Sequence, residues 1–581
     1  MKKGSIDAEY DSDSEQLIQS ARYASIGTRA AQRRRTLSRL STSVSPAIAR
    51  LLLLLLLQTL ERAAWYIVSI NVRRYTRYCM GVSIADIVSL LFVATTFLLS
   101  PLWGYACDRK LGHYKVLVVA LIPYTIGGVF VYASSLFLAA TKSEAKDRVN
   151  VAAKVFYFVG IGVVAVCGAA VRAVMLPYML EQLAYNEHQR RRHLEAFVGW
   201  SYFAINIGGL VGEIYNGMLS PKFWSELIDL NHEPNYRREY GYVYILVPVC
   251  LFLVLSLLII SRKRLRHYKP DWKSFPKCSI ICRTAWYKTP SAEDAPLPRQ
   301  WRRGELARRD NAIKLGTIVP YVTSMLFFFV VQSQYATSFA EQTMRLKWPD
   351  NVGINATITR ASFTGWWLIP AIIDPTSVVL TVPLMLYVIR PLYERCVKSP
   401  LSFQARMRLG MFLAGLACLA AAIVQWKAKR LIHYSTSTFY YHYTEPNCFS
   451  NLSVFYQVPQ YLLIGVAEVL AFVGVMEFVL GRAPREYKTI AYSMLQMLYG
   501  VAYVLSFAVI EIVKKTQPSW YFGITRGPDD CQESPRPIWN YFILLAWFTI
   551  GSLAFFIFAD IKYHGYTRRA SYVGSRESFQ E

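Results

Sequence analysis

Residues 47–72 read Ala47-IARLLLLLLLQTLERAAWYIVSIN-Val72. The leucine run and the apolar residues around it fill the ~20 positions that a helix needs to cross a bilayer. Besides Arg50 near its start, two formal charges, Glu61 and Arg62, sit deep inside this run. Gln58, Glu61, Arg62 and Trp65 are spaced i, i+3, i+4 and i+7, which puts all four on one helical face. A charge at the bilayer centre costs at least ~2.5–3.5 kcal/mol, so such a face turns to a cavity or a partner. The stretch therefore reads as a membrane span with a polar inner face.

The rest of the chain agrees. Its 581 residues would make about four soluble domains by length alone. Only 18% are charged and 54% are hydrophobic, whereas soluble domains carry about 25% charged residues. Tyr (39), Phe (31) and Trp (14) are abundant. A disordered chain, a disulfide-stapled miniprotein and an ordinary soluble enzyme are excluded. Apolar stretches occur at 47–72, 84–104, 116–140, 151–180, 195–219 and 240–260, then at 313–335, 366–390, 408–426, 454–480, 490–513 and 540–561. The expectation is an all-α membrane protein of 12 transmembrane helices in two six-helix bundles, 47–260 and 313–561. A basic cytosolic loop, 261–312, separates them. A disordered N-tail, 1–46, and a C-tail, 562–581, flank them.

The net charge of +26 reads as positive-inside loops. No zinc-finger or RNP-type motif accompanies it, so no nucleic-acid partner is expected. Cys278 and Cys282 lack neighbouring His ligands, and neither a metal nor another cofactor is expected. No nucleophile–base pair or P-loop marks an enzyme. The charge bias places both termini in the cytosol, although Arg73, Arg74 and Arg77 in the first outer loop run against it. Two N-x-[ST] sequons, at Asn355 and Asn451, then fall on the non-cytosolic side, where glycosylation occurs. Cys448 and Cys531 fall there too, and that compartment permits a disulfide between them.

Further polar residues interrupt the spans: Arg172, Asn206, Asp374 before Pro375, Glu468, Glu477, and Glu511 beside Lys514 and Lys515. One reading is structural ion pairs that weld helices together; Glu477 and Glu511 take that reading. For Glu61, Arg62, Arg172 and Glu468 a functional reading is preferred. One half then offers cations and the other anions across a common cavity. A zwitterion requires that arrangement, because its carboxylate wants a fixed guanidinium and its ammonium wants carboxylates.

The segment Gly104-YACDRKLGHY-Lys115 resembles the major facilitator signature G-x-x-x-D-[RK]-x-x-G-[RK]-x-[RK], with His113 departing from a basic position. It makes Asp108 and Arg109 candidate gating residues. Three further stretches resemble the proton-coupled oligopeptide transporter family, and its peptide/histidine subgroup most. They are Glu61-Arg62-Ala-Ala-Trp65-Tyr66, the run from Phe197 to Gly208, and Val458–Glu468 with Met476–Pro484. The sequence departs from the family pattern at Gln58, Ser69 and Val331, which stand where the family carries two acids and an arginine.

The resemblance implies symport of di- and tripeptides, and of histidine, with protons. Arg172 would hold the substrate carboxylate, Glu468 and Asp374 its ammonium, and Asn206 a further hydrogen bond. Trp65, Tyr66 and Gln332 would shape the side-chain pocket, while Glu61 would titrate with Arg62 tuning it. A non-transporting scaffold or sensor, and a facilitator of another small anion, remain open alternatives on the same fold. The subgroup is associated with endosomes and lysosomes. The N-tail segment Asp13-Ser-Glu-Gln-Leu17-Ile18 fits an acidic dileucine sorting signal that adaptors would read. Replacing Leu17 and Ile18 with Ala is expected to move a tagged protein from endolysosomes to the plasma membrane. Unchanged location by microscopy would remove the signal from consideration.

Overall fold

The computed structural model describes residues 46–139, 151–183, 187–218, 236–267, 281, 302–343, 345–347, 368–398, 401–435, 447–522 and 537–576. Asp13, Leu17, Ile18, Cys278, Cys282, Asn355 and Cys531 lie outside the described residues, as does the side chain of Cys448. Twelve helices are long and apolar enough to cross a membrane. They are α1 (Ile48–Arg77), α2 (Ala85–Leu111), α3 (His113–Leu138), α4 (Val151–Gln182), α5 (Leu194–Asn216) and α6 (Tyr240–Lys263), then α7 (Asn311–Thr343), α8 (Ile372–Val397), α9 (Phe403–Lys429), α10 (Val454–Arg482), α11 (Arg485–Thr516) and α12 (Trp539–Tyr563). Contacts cluster in two units. Met1–Leu53 contributes the first turns of α1 among its described residues, and Leu54–Glu581 holds the remainder of the array.

Each expected apolar stretch is a helix, and several run further than apolarity alone foretells. α9 starts at Phe403, so Arg406 lies inside it and is buried, because Glu195 and Glu477 both accept from its guanidinium. α1 continues to Arg77, and Arg73 finds Asp86 at the start of α2. That ion pair occupies one of the arginines that oppose the charge rule. The end of the basic central stretch is helical as well, since a helix begins at Arg302 and runs on to Ser324.

Outward faces are apolar and inward faces interlock. On α6, Phe252 and Ile260 are exposed whereas Leu251, Val254 and Leu258 are fully buried. This is the pattern of a helix with lipid on one side, because exposed apolar surface is costly in water. Within the halves, α3 packs on α4, and α9 packs on α10 and α12. Between the halves, α2 meets α11 and α5 meets α8 and α10. Small residues permit the closest approaches. At Gly208 in α5, a Cβ atom would sit 2.6 Å from Cβ of Arg62 and would also strike the Thr59 carbonyl of α1.

Among the described residues one feature is a sheet. β1 (Leu346–Lys347), β2 (Ile432–Ser435) and β3 (Asn447–Ser453) form a small sheet in the order β1-β3-β2, with β3 parallel to β1 and antiparallel to β2. It joins the end of α7 to the connection between α9 and α10, over a cluster of Leu346, Val424, Ala428, Leu452 and Val454. Asn451 of the second sequon is exposed on β3. The sheet marks one end of the array; the turn between α2 and α3 marks the other.

Gly208→Ala is expected to lower the melting temperature of the detergent-solubilised protein, at a cost of about 1–3 kcal/mol, the usual cost of overpacking. Gly162→Ala in α4 serves as the control, because a Cβ there meets nothing within 4 Å. Equal melting curves for the two variants would contradict the close α1–α5 approach.

Candidate functional site

Two sets of polar contacts bolt the halves together at the α2–α3 end. In the first, Gly112 turns the chain with φ +73, a conformation that glycine adopts readily. Gly104 packs on Ser493 and lies close to Ile490 of α11. Asp108 Oδ2 then accepts a hydrogen bond of 2.9 Å from the Ile490 amide, in the first turn of a helix that begins at Lys488. A carboxylate is favoured there, because the first-turn amides of a helix lack partners of their own and carry partial positive charge. His113 Nε2 lies 2.8 Å from Thr489 Oγ1, and its Nδ1 lies 3.1 Å from Glu181 of α4. Arg109 is exposed and bonds to Tyr105 of its own helix. Cys107, Asp108 and His113 bring donor atoms within 4.8 Å of one another. That set could ligate a metal, but Asp108 and His113 already direct their donors to α11. In the second bolt, Glu195 at the start of α5 accepts from both Arg390 of α8 and Arg406 of α9. Arg406 also pairs with Glu477 of α10, and Arg390 with Glu394.

Between the halves lies a cavity that encloses about 770 Å³ of non-atom space, mouth included. Of the residues singled out by sequence, Gln58, Arg62, Tyr66, Arg172, Asn206, Gln332, Asp374 and Glu468 line it. Trp65 and Glu61 stand one layer behind. Arg172 is clamped between two rings, with Cζ 4.1 Å from the Trp65 centroid and 4.3 Å from that of Phe97. Its Nε and Nη2 are buried and have no hydrogen-bond partner. A guanidinium suits this place because its flat faces stack on aromatic rings while its edge keeps its donors.

Arg62 is spoken for. It lies 2.6 Å from Glu61 Oε2, and Tyr124 donates to Glu61 Oε1 at 3.0 Å. Gln58 accepts from Ser201 of α5. On the opposite wall Glu468 accepts from Tyr202 at 2.7 Å and from Gln332 at 2.6 Å, so both of its oxygens are engaged. Asp374 is buried, and its Oδ1 has no partner. Asn206 donates to the Tyr202 carbonyl of its own helix. The cavity thus presents an unsatisfied cation from α4 and an unsatisfied carboxylate from α8. An aromatic shell of Tyr202, Phe329, Phe472 and Tyr499 surrounds Glu468.

The other polar residues lie apart from this site. Glu477 belongs to the second bolt, and Glu511 pairs with Lys514 at 2.8 Å near the other end of α11. Several residues of the site escaped the sequence reading, Tyr492, Gln496 and Tyr499 of α11 among them. Tyr202 reaches Glu468 across the halves; it stands four residues before Asn206, on the same face. Tyr335 lines the cavity from a short 3-10 turn, Ser333–Ala336, that interrupts α7. Glu213, buried in α5 seven residues after Asn206, is outside the cavity lining. That spacing was the available signal.

Comparison with known proteins gives a consistent result. Residues 114–525 match the model of the POT family, PTR2. Protein NRT1/PTR family 5.16 of Arabidopsis thaliana is 23% identical over 563 residues, covering 86% of this chain and 92% of that protein. Solute carrier family 15 member 3 of Mus musculus is 24% identical over 543 residues, covering 85% and 87%. The crystal structure of the POT family transporter PepTSo superposes with a TM-score of 0.59 at 16% identity, covering 90% of this chain and 99% of that one.

The first bolt yields a measurable expectation. A buried carboxylate bond to an amide is worth about 1.5–3 kcal/mol. Removing it with Asp108→Ala should therefore favour separation of the α2–α3 end by roughly tenfold or more. Spin labels on cysteines replacing the exposed Lys110 and Arg485 should report a larger population of long distances in the variant. An unchanged distance distribution would mean that Asp108 does not hold this end shut.

Proposed function

The chain belongs to the POT family, and we propose that it carries di- and tripeptides, and histidine, by proton-coupled symport through alternating access. It is an integral membrane transporter and not an enzyme. The observation that carries the proposal is the unpartnered guanidinium of Arg172 in the same cavity as the unpartnered oxygen of Asp374. A zwitterion satisfies both at once. Its carboxylate accepts from Arg172, and its ammonium donates to Asp374 and to Glu468 once Tyr202 or Gln332 yields an oxygen. Asn206 adds a hydrogen bond to the backbone of the substrate. Trp65 acts through Arg172 by fixing the guanidinium plane, while Tyr66 and Gln332 bound the side-chain space.

Proton coupling is assigned to Glu61. Ionised, it neutralises Arg62 and keeps that side chain from the substrate carboxylate. Protonated, it loses that pull, and Arg62 gains freedom to face the cavity beside Arg172. Substrate carboxylate and proton thus favour one another, which is the requirement of symport. An inorganic anion would meet Asp374 and Glu468 in the same space, and this speaks for a zwitterion over a nitrate-type substrate.

The bolted α2–α3 end is taken to face the cytosol, with both termini on that side and the sheet end toward the lumen of an endolysosome. The exposure of Asn451 on β3 supports glycosylation there. Arg109, on the surface beside Asp108, is taken to stabilise the gate by reaching acidic groups when the halves rearrange.

Proteoliposomes provide the test. Wild type is expected to accumulate alanyl-alanine under a proton gradient. Arg172→Ala should abolish uptake, because removing one member of a buried charge pair costs about 2–5 kcal/mol; Arg172→Lys should retain part. Glu61→Gln should exchange substrate across the membrane yet fail to accumulate it. Normal uptake by Arg172→Ala at equal reconstitution would overturn the substrate assignment. Gradient-driven accumulation by Glu61→Gln would move the proton site elsewhere.

A further inference from the structure

The last turn of α2, Cys107–Leu111, is wound as a π-helix, a form that recurs at functional sites. The Gly112 amide closes it with a hydrogen bond of 3.0 Å to the Cys107 carbonyl, and Gly112 then reverses the chain. His113, at the start of α3, is thereby brought back onto Cys107 and Asp108, so that one donor atom from each of the three lies within 4.8 Å of the others. Cys107 is buried, whereas His113 is partly exposed. Glu181 of α4 stands behind the ring, with Oε2 3.1 Å from Nδ1. A carboxylate there favours a proton on Nδ1, which leaves the lone pair on Nε2. Thr489 of α11 occupies that lone pair at 2.8 Å.

A thiol, a carboxyl and an imidazole together are the donor set of a borderline-soft ion such as Zn2+, whereas Mg2+ and Ca2+ take oxygen ligands. On binding, the Cys107 thiol gives its proton to solvent as the metal–sulfur bond forms. Thiolate and carboxylate then supply two negative charges to a divalent cation, and the imidazole stays neutral, so the filled site carries no net charge. Water completes a tetrahedron. Bonds of about 2.0–2.3 Å give such a tetrahedron edges of about 3.3–3.8 Å, which small side-chain rotations reach in a set no wider than 4.8 Å. All three ligands belong to the stretch that joins α2 to α3, and none to α11. The lone pair of His113 Nε2 cannot serve a metal and Thr489 at once, so metal and α11 compete for it.

We propose that Cys107, Asp108 and His113 form a binding site for Zn2+, with Glu181 as the residue that positions the imidazole, and that filling it releases Thr489 and weakens the hold of α11 on the α2–α3 turn. By linkage, whatever loosens α11 tightens the metal by the same factor, and the reverse. The proposal goes beyond the transport reading and does not depend on which substrate the protein carries.

The experiment uses the full chain, purified in detergent with a reductant, freed of metal and titrated with Co2+. Thiolate complexes of Co2+ absorb by charge transfer in the near ultraviolet and, when tetrahedral, strongly in the visible. Wild type should show both features; Zn2+ should abolish them, and excess Mg2+ should not. Cys107→Ser should remove the charge-transfer band. His113→Gln should weaken binding by more than about a hundredfold, and Glu181→Gln by about tenfold, the effect of losing an outer partner of a ligand. Thr489→Val lacks the competing hydroxyl and should bind about fivefold more tightly, the effect of one neutral hydrogen bond. A merely structural role for Thr489 would weaken binding instead. A wild type without the charge-transfer band overturns the proposal with no variant needed. So does a band that survives in Cys107→Ser, or one lost when Cys278 and Cys282 are replaced by Ser, which would move the metal to the central loop. Binding by Thr489→Val that is no tighter than in wild type overturns the competition between metal and α11.

Discussion

A guanidinium buried between two aromatic rings, with no ion pair of its own among the described residues, is the constraint around which the rest is arranged. Cation–π contact with Trp65 and Phe97 returns about 2 kcal/mol when desolvated, well short of what a buried ion gives up on leaving water. Arg172 therefore needs either water or an anion at its free edge. That need keeps a cavity open beside it. It also explains the tight pairing of Arg62 with Glu61, because a second free cation nearby would raise the cost further. Glu468 is held in check by Tyr202 and Gln332, so any cation that approached it would compete with two hydrogen bonds. Asp374 has no such claim on its Oδ1 and offers the first foothold.

The bolted end and the cavity share the same helices. Gly104 and Asp108 at the end of α2 abut the start of α11, and Tyr492, Gln496 and Tyr499 farther along α11 line the cavity. α5 carries Glu195 at one end, and Tyr202, Asn206 and Glu213 along its length. A substrate that draws α5 toward α10 thereby acts on the lever that also bears the second bolt. Rigid helices transmit such displacement because close-packed interfaces favour discrete arrangements.

The fold was legible because apolar length is a strong signal. Twelve runs of membrane-spanning length admit few arrangements, and polar residues within them stand out against their surroundings. Arg172, Asp374, Asn206 and Glu468 were found in that way and do share a cavity. What was not legible depends on partners distant in sequence. Tyr202 meets Glu468 across 266 residues, and a tyrosine in a span is too ordinary to draw notice. Orientation about a helix axis is another gap. The position matched to a family acid, Val331, is fully buried in the core, whereas its neighbour Gln332 lines the cavity; one residue turns a side chain by about 100°. The small sheet escaped notice because Asn447–Ser453 shows no apolar alternation. Pairing with β1 and β2 makes it a strand.

The ion cluster at Glu195 works as a clutch. Arg390 keeps Glu394, and Arg406 keeps Glu477, on the same half of the molecule. When the halves disengage, neither arginine is stranded without an acid; the exposed loss falls on the single carboxylate of Glu195. Glu195 sits near the bolted end of its helix, where arriving water can hydrate it. Disengagement is thereby made inexpensive for four of the five charges, and re-engagement needs only one acid to find its seat. Such an arrangement suits a machine that must come apart and close once in every cycle, because the grip is firm while closed and leaves little electrostatic debris when released.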